Sequence, residues 1–469
     1  MAETLAPAVR RAAEAHLPEA LLRRFDTPGP RYTSYPTADR FHARFGANEA
    51  AAALRACAAN AAPLSLYVHV PFCESVCWYC ACNKVVTKHH ERAAEYLAAL
   101  DAEIALVSGP LGACRQVSQL HLGGGSPTFL SDDELAHLMA TLRGAFDLAD
   151  AAEVSIEVDP RTVTPARLAA LRALGFNRLS FGVQDFDAEV QAAVHRVQPY
   201  ERVRELIEAA RALGYASINA DLIYGLPRQT PSSFARTVAQ IGALRPDRIA
   251  LYAYAHLPER FKPQRRIPIE ALPDAGARVA MLGGAIAGFL ARGYAYIGMD
   301  HFALAGDPLA VARREGRLHR NFQGYSTQPD CDLIGLGVSA IGKLGASYNQ
   351  NTKSLPDYYA ALREGRLPVE RGITLDADDL LRRDAIMALM CQGRLDLGAL
   401  GAAHAVDAAA YFADALLALV PHAAAGLVAR DGAAIQVTAR GWYVVRAIAA
   451  LFDRHLRDAG LRERYSRIV

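Results

Sequence analysis

Six apolar, β-branched runs, each followed by a helix-like segment, constrain this 469-residue chain more than any other feature. They are LSLYVHV (64–70), VSQLHL (117–122), EVSIEV (153–158), NRLSFGV (177–183), SINADLIY (217–224) and DRIALYAYA (247–255), with starts about 24 to 53 residues apart. Strands separated by helices pair in parallel, because a connection long enough to hold a helix returns the chain to the same end of the sheet. The intervening segments have helix signals of their own. Leu97, Leu100, Ile104 and Val107 form one stripe at 3/4 spacing, and Ser131 and Thr164-Pro165 are starting signals for helices over 131–147 and 163–174. Further helices fit 199–213 and 230–243. The sheet is either open or curled into a partial barrel, and the rhythm does not separate the two.

After about residue 260 the strand rhythm stops; 275–294 reads as a helix and 300–345 as an irregular stretch. From 376 the pattern is helical, with one short β segment, GLVARDGAAIQVT. The expected organisation is an N-terminal helical and extended segment (1–60), a βα core (61–260), an extension and connecting region (261–375) and an α-rich C-terminal domain (376–469). With 52% hydrophobic and 21% charged residues, the chain has ample core and is not a disordered protein. A net charge of +2, from 51 basic and 49 acidic residues, argues against a nucleic-acid or anionic-membrane surface. The N-terminus lacks a secretory apolar region, and the longest apolar stretch, Val279 to Ala291, lies between Arg278 and Arg292, too short to span a bilayer. Cytoplasmic placement without membrane insertion is expected, and no heptad pattern argues against a monomer.

The chemistry concentrates in PFCESVCWYCACNK, immediately after the first strand. Variable loops converge at that edge of a parallel βα sheet. Four of the eight cysteines, Cys73, Cys77, Cys80 and Cys82, fall within ten residues, a spacing typical of metal or redox sites. Three thiolates at CxxxCxxC spacing can ligate three irons of a cubane and leave the fourth open, whereas electron-transfer clusters use four. A zinc ribbon needs a second CxxC pair, which is missing. Cys82 is a possible fourth ligand, but only one residue separates it from Cys80.

The second strand runs into Gly123-Gly124-Gly125-Ser126, where the backbone can approach a ligand closely. The next strands end in polar residues within apolar surroundings: Glu157, Gln184 and Asp221, with Arg196 in the following loop. Side chains at successive strand ends point into one cavity and can hold hydroxyl, amino and carboxylate groups. Asp159, before Pro160, reads as a capping or turn residue. His69 follows Tyr67 by two on one strand face, so both can line the cavity; His89 and His90 read as a solvated helix start.

These motifs resemble the radical S-adenosylmethionine (SAM) superfamily and, more narrowly, the family of oxygen-independent coproporphyrinogen III oxidases. The resemblance rests on PRYTSYPT (30–37), YVHVPFC (67–73), the CxC at 80–82, GGGSPT (123–128), IEVDPR (156–161), SFGVQDF (180–186), DLIYGLP (221–227), HRNFQGY (319–325) and GVSAIG (337–342), and extends to the C-terminal domain. Ser126 and Tyr79 stand where other members carry Thr and Phe.

The resemblance implies a partial (β/α)6 TIM-like barrel with an α-rich C-terminal domain. It implies one 4Fe–4S cluster on Cys73, Cys77 and Cys80, and two SAM molecules. Tyr67, Gly124, Glu157 and Ile341 would contact the first SAM; Tyr79, Gly125, Ser126, Gln184, Arg196, Asp221 and Ala255 the second. Cys82, the family's additional cysteine, and His69 are the candidate catalytic residues. The expected substrate is coproporphyrinogen III, two of whose propionates would become vinyl groups. Its four carboxylates call for arginines, and Arg31 and Arg320 are the candidates. The expected reductant is a flavodoxin- or ferredoxin-like protein. The alternatives are a related radical SAM haem chaperone or haem-degrading methyltransferase, and a non-catalytic haem or iron–sulfur carrier.

Overall fold

The computed structural model describes residues 24–25, 28–58, 62–329, 331–456 and 465. Most of the N-terminal segment read as helical, 1–23, lies outside the described residues; within them, Ala47–Cys57 is a helix and Gly29–Thr37 is without regular structure.

All six runs form strands: β1 (Leu64–Val70), β2 (Gln116–Gly124), β3 (Asp147–Val158), β4 (Arg178–Gln184), β5 (Ser217–Tyr224) and β6 (Arg248–Ala253). They pair in parallel and in chain order. Helices connect them: α1 (Arg92–Ser108), α2 (Asp132–Ala145), α3 (Pro165–Ala173), α4 (Tyr200–Ala212) and α5 (Pro231–Leu244); α6 (Ala275–Ala291) follows β6. The expected caps form. Ser131 accepts the Glu134 N–H, and Thr164 accepts the Arg167 N–H ahead of Pro165, each at 3.2 Å. The α1 stripe Leu97, Leu100, Ile104 and Val107 is buried against the sheet.

The region after residue 260 differs from the sequence reading. It adds six strands to the same sheet: β7 (Tyr294–Gly298), β8 (His301–Leu304), β9 (Leu333–Leu336), β10 (Ile341–Leu344), β11 (Ser347–Asn351) and β12 (Val369–Thr374). The sheet order is β12-β11-β10-β9-β1-β2-β3-β4-β5-β6-β8-β7. β9 is a seventh parallel strand, on the free side of β1, and the outer strands pair antiparallel. Most of these strands have four or five residues and some carry glycine, too short for an alternation to register in sequence. The architecture is thus a partial α/β barrel whose sheet keeps two edges.

Beyond it, α7 (Ala377–Gln392) leads into short helices and a three-stranded sheet. GLVARDGAAIQVT supplies two of those strands, Val428–Asp431 and Ala434–Val437; the third, Arg394–Asp396, was not read from sequence. This region docks on the barrel through buried polar contacts. Trp442 donates to the Ile297 carbonyl, and Tyr325, between β8 and β9, donates to the Met390 carbonyl, each at 2.9 Å. Among the described residues, no helix is long and apolar enough to cross a membrane.

Candidate active site

Period-two alternation builds the site. In β4, Leu179, Phe181 and Val183 are buried against the helices, so Ser180, Gly182 and Gln184 face the hollow of the sheet. The same alternation turns Tyr67 of β1, His121 of β2, Glu157 of β3, Asp221 of β5 and Tyr252 of β6 inward. Strand register brings them together: Tyr67 lies beside His121, Glu157 beside Ser180, and Asp221 beside Gly182. The result is two adjoining cavities of about 260 and 390 Å³ that share Cys82, Gly124, Glu157 and Tyr252.

The cysteine loop forms one wall. Its ends are pinned where Phe72–Cys73 pairs with Val85–Val86. Inside the loop, Lys84 Nζ donates to the Cys80 carbonyl, and Gln264 Nε2 reaches the Tyr79 carbonyl, each at 2.9 Å. Cys73, Cys77, Cys80 and Cys82 are not joined in disulfides, and all four line the smaller cavity. Burial pushes the Cys73 thiol up to about 12, whereas a hydrogen bond from Cys82 holds Cys80 below the usual thiol range and raises Cys82.

The glycine segment passes directly beneath that loop. Gly125 N–H and Ser126 N–H donate to the carbonyls of Val70 and Phe72, each at 2.8 Å. A Cβ on Gly125 would stand 2.6 Å from the Phe72 oxygen and 2.7 Å from that of Pro71, so only glycine permits the approach. Gly124, at φ +114°, turns its N–H to Glu157 Oε2 at 3.1 Å. Burial favours the protonated form of Glu157, but His121 and that N–H outweigh it and hold the carboxyl below its ordinary value. The Ser126 side chain hydrogen-bonds the Cys73 sulfur.

Two of the residues lining this space carry buried polar atoms without partners. Gln184 Oε1 and Arg196 Nε are buried and unpaired in a cavity whose other walls are glycine, thiol and carboxylate. Such atoms fit a ligand rich in amino, carboxylate and hydroxyl groups. Asp221 accepts from Ser180 Oγ at 3.1 Å and Asn219 Nδ2 at 2.8 Å, yet burial, with the charge of Glu157, pushes it up to about 6. On the other wall Tyr67 Oη meets His69 Nδ1 at 3.0 Å, and His69 Nε2 meets the Asn83 carbonyl at 2.9 Å, so both ring nitrogens are engaged. Ile341 lines the larger cavity beside them.

Three expected residues lie apart. Ala255 and Arg31 line a separate cavity of about 150 Å³ between the barrel and Arg446 of the C-terminal region. Arg31 pairs with Asp300, and its guanidinium lies 5.5 Å from the Tyr252 ring centre. Arg320 faces a third cavity, donates to the Arg31 carbonyl at 3.3 Å and stacks on Tyr325. His89 and His90 form exposed pairs with Glu91 and Glu134.

Several lining residues escaped the sequence reading. Ser180 and Tyr252 were findable by extending the alternation; Phe322 and Gln323, in the turn between two three-residue strands, carried no periodic signal. Asp159 does form a turn, accepting the Arg161 N–H at 3.0 Å, but it also pairs with the Arg161 and Arg196 guanidiniums beside Cys77.

The comparisons with known proteins point one way. The radical SAM superfamily profile matches residues 67–241, and that of the HemN C-terminal domain matches 375–444. The chain is 50% identical to the oxygen-independent coproporphyrinogen III oxidase of Pseudomonas aeruginosa, over 96% of this chain and 98% of that one. With the Escherichia coli protein of the same name it shares 48% identity at the same coverage. The solved structure of the Escherichia coli coproporphyrinogen III oxidase HemN, described as a radical SAM enzyme, superposes with a TM-score of 0.88 at 48% identity, covering 91% of this chain and 98% of that one.

Proposed function

The chain belongs to the oxygen-independent coproporphyrinogen III oxidases of the radical SAM superfamily, and from that premise we propose how its residues divide the work. The reaction converts two propionate side chains of coproporphyrinogen III to vinyl groups with loss of two CO₂, giving protoporphyrinogen IX without oxygen. The observation that best supports a detailed assignment is the meeting of three thiols in CxxxCxxC order, an anionic Glu157 and residues with unpaired buried atoms, Gln184 and Arg196, around one hollow. When bound, the cluster and SAM supply a reductively generated carbon radical that removes hydrogen from a propionate carbon.

Cys73, Cys77 and Cys80 hold the cluster. Tyr67, Gly124, Glu157 and Ile341 hold one SAM, with the Glu157 carboxylate and the Gly124 backbone meeting its polar groups. Tyr79, Gly125, Ser126, Gln184, Arg196 and Asp221 hold a second, with Ala255 joined to that wall from the neighbouring cavity through Gln264, which donates to both the Tyr79 and Ala255 carbonyls. His69 is fixed by Tyr67 and Asn83, which makes it a wall of defined orientation near the reacting atoms. Cys82 sits where the two cavities join and can exchange a proton with its neighbours during turnover. Arg31 and Arg320 meet propionates that do not react.

We further assign the electron supply to a reduced flavodoxin- or ferredoxin-like protein, and place the enzyme in the cytoplasm as a monomer. The test is an anaerobic assay of iron- and sulfide-reconstituted protein with SAM, reductant, an electron acceptor and coproporphyrinogen III, followed by mass spectrometry. Protoporphyrinogen IX together with 5′-deoxyadenosine is expected. Deoxyadenosine without porphyrin product would move the assignment to a haem-handling relative, and neither product from protein with intact cluster and bound SAM would move it to a carrier.

A further inference from the structure

Cys77 is the cluster cysteine with the most unusual surroundings. Arg196 Nη1 lies 3.4 Å from its sulfur and Arg161 Nη2 lies 3.6 Å from it. The two guanidiniums share one carboxylate. Arg161 donates to Asp159 Oδ1 and Oδ2 through Nε and Nη2 at 2.6 to 3.1 Å, and Arg196 reaches the same oxygens at 3.3 Å. The group is largely withdrawn from solvent, with side-chain exposures of 19% for Arg161, 8% for Arg196 and 7% for Asp159. Two cations against one anion leave a net positive charge beside the sulfur.

The two arginines are not equivalent. Arg196 also donates to the Gly182 carbonyl at 2.6 Å, lines the ligand cavity and keeps a buried Nε without a partner, which suits the SAM contact assigned above. Arg161, on the turn after β3, bonds only Asp159 and the Cys77 sulfur among the described residues. We propose that Arg161 tunes the reduction potential of the cluster through Cys77, a role that rests on the cluster assignment but adds a residue to it. Reduction adds one electron, delivered by the external donor, so the reduced cluster is the more negative state. A hydrogen bond to a ligand sulfur and a poorly screened cation both stabilise that state and raise the potential. Asp159 aims Arg161 and partly offsets its charge.

The experiment is a redox titration of reconstituted protein followed by electron paramagnetic resonance, with and without SAM, alongside iron analysis and SAM affinity. Arg161→Gln keeps a donor group but removes the charge. At the potential that half-reduces the wild-type cluster, its reduced-to-oxidised ratio is expected to fall about tenfold, equivalent to 59 mV for a one-electron couple. Asp159→Asn removes the offsetting charge and is expected to shift the ratio the other way. Unchanged potentials in iron-replete variants, shifts of the same sign, or a loss of SAM affinity at unchanged potential would overturn the proposal. If Arg161→Gln fails to take up iron, the sign for Asp159→Asn decides. Wild-type protein without a 4Fe–4S signal would instead remove the function assignment on which the proposal stands.

Discussion

Glu157 Oε2 accepts the Gly124 backbone N–H at 3.1 Å, joining the ends of β2 and β3 across the mouth of the cavity. The carboxylate is thereby aimed by a main-chain donor, presented by a glycine at φ +114° where a Cβ would stand 2.6 Å from the His69 ring. His121, 3.5 Å away, favours its ionised form.

Glu157→Gln keeps the volume and one acceptor but removes the charge. A hydrogen bond to a charged group contributes about 1.5–3 kcal/mol, so the SAM dissociation constant should rise roughly ten- to a hundredfold. Equilibrium dialysis with labelled SAM measures this, and iron content should stay at the wild-type level. Undiminished affinity would take Glu157 out of the SAM site.

The cysteines should separate cleanly. Cys77→Ser is expected to lose the cluster's absorbance and most of its iron and sulfide. Cys82→Ser should retain both yet turn over at least about a hundredfold more slowly, the scale on which a positioned proton donor acts. Wild-type iron in Cys77→Ser protein would contradict the ligand set.

How much of this was legible in sequence follows from physics. The first six parallel strands, β1 to β6, have runs of six or more residues with β-branched apolar positions, long enough for period two to be read, and polar members of those runs line the hollow. Glu157, Gln184 and Asp221 were therefore visible as polar interruptions. The short strands from β7 onward, and Phe322 and Gln323 in the turn of a separate two-stranded hairpin, owe their places to tertiary pairing, which leaves no local pattern. Asp159 was read as a turn residue, which it is. Its second role depends on Arg196, 37 residues further along the chain, and only folding reveals such a contact.

Arg31 can serve substrate or structure, because it pairs with Asp300 as well as facing Tyr252. Arg31→Ala should raise the KM for coproporphyrinogen III several-fold, with cluster spectrum and SAM affinity intact. Removing Arg31 also leaves Asp300 without its partner, and Asn at position 300 relieves that. The double variant Arg31→Ala, Asp300→Asn should therefore keep the raised KM if the arginine meets a propionate. A return to the wild-type KM in the double variant would show that the pairing alone mattered.

Glu103 gives the protein a pH-dependent stability term. From α1 its carboxylate accepts three hydrogen bonds, from Gly337 N–H, Asn351 Nδ2 and Tyr358 Oη, each at 2.6 Å. The neighbouring Tyr96 donates to the His69 carbonyl at 2.6 Å and accepts the Val338 N–H at 3.1 Å, so this node ties the end of β1 to the segment leading to Ile341. Burial pushes the Glu103 carboxyl up to about 7, against the three donors that favour its charged form. In the unfolded chain it ionises near 4.5. Between those values the folded protein holds a proton that the unfolded chain has released, so stability falls as pH rises from about 4.5 to about 7 and is level above that. The shift corresponds to a loss on the order of 3 kcal/mol across the window. Glu103→Gln cannot titrate. Urea unfolding of both proteins at pH values spanning the window should show the wild type losing stability relative to the variant by that amount. Parallel pH profiles for the two proteins would show that the folded carboxyl ionises as it does in the unfolded chain.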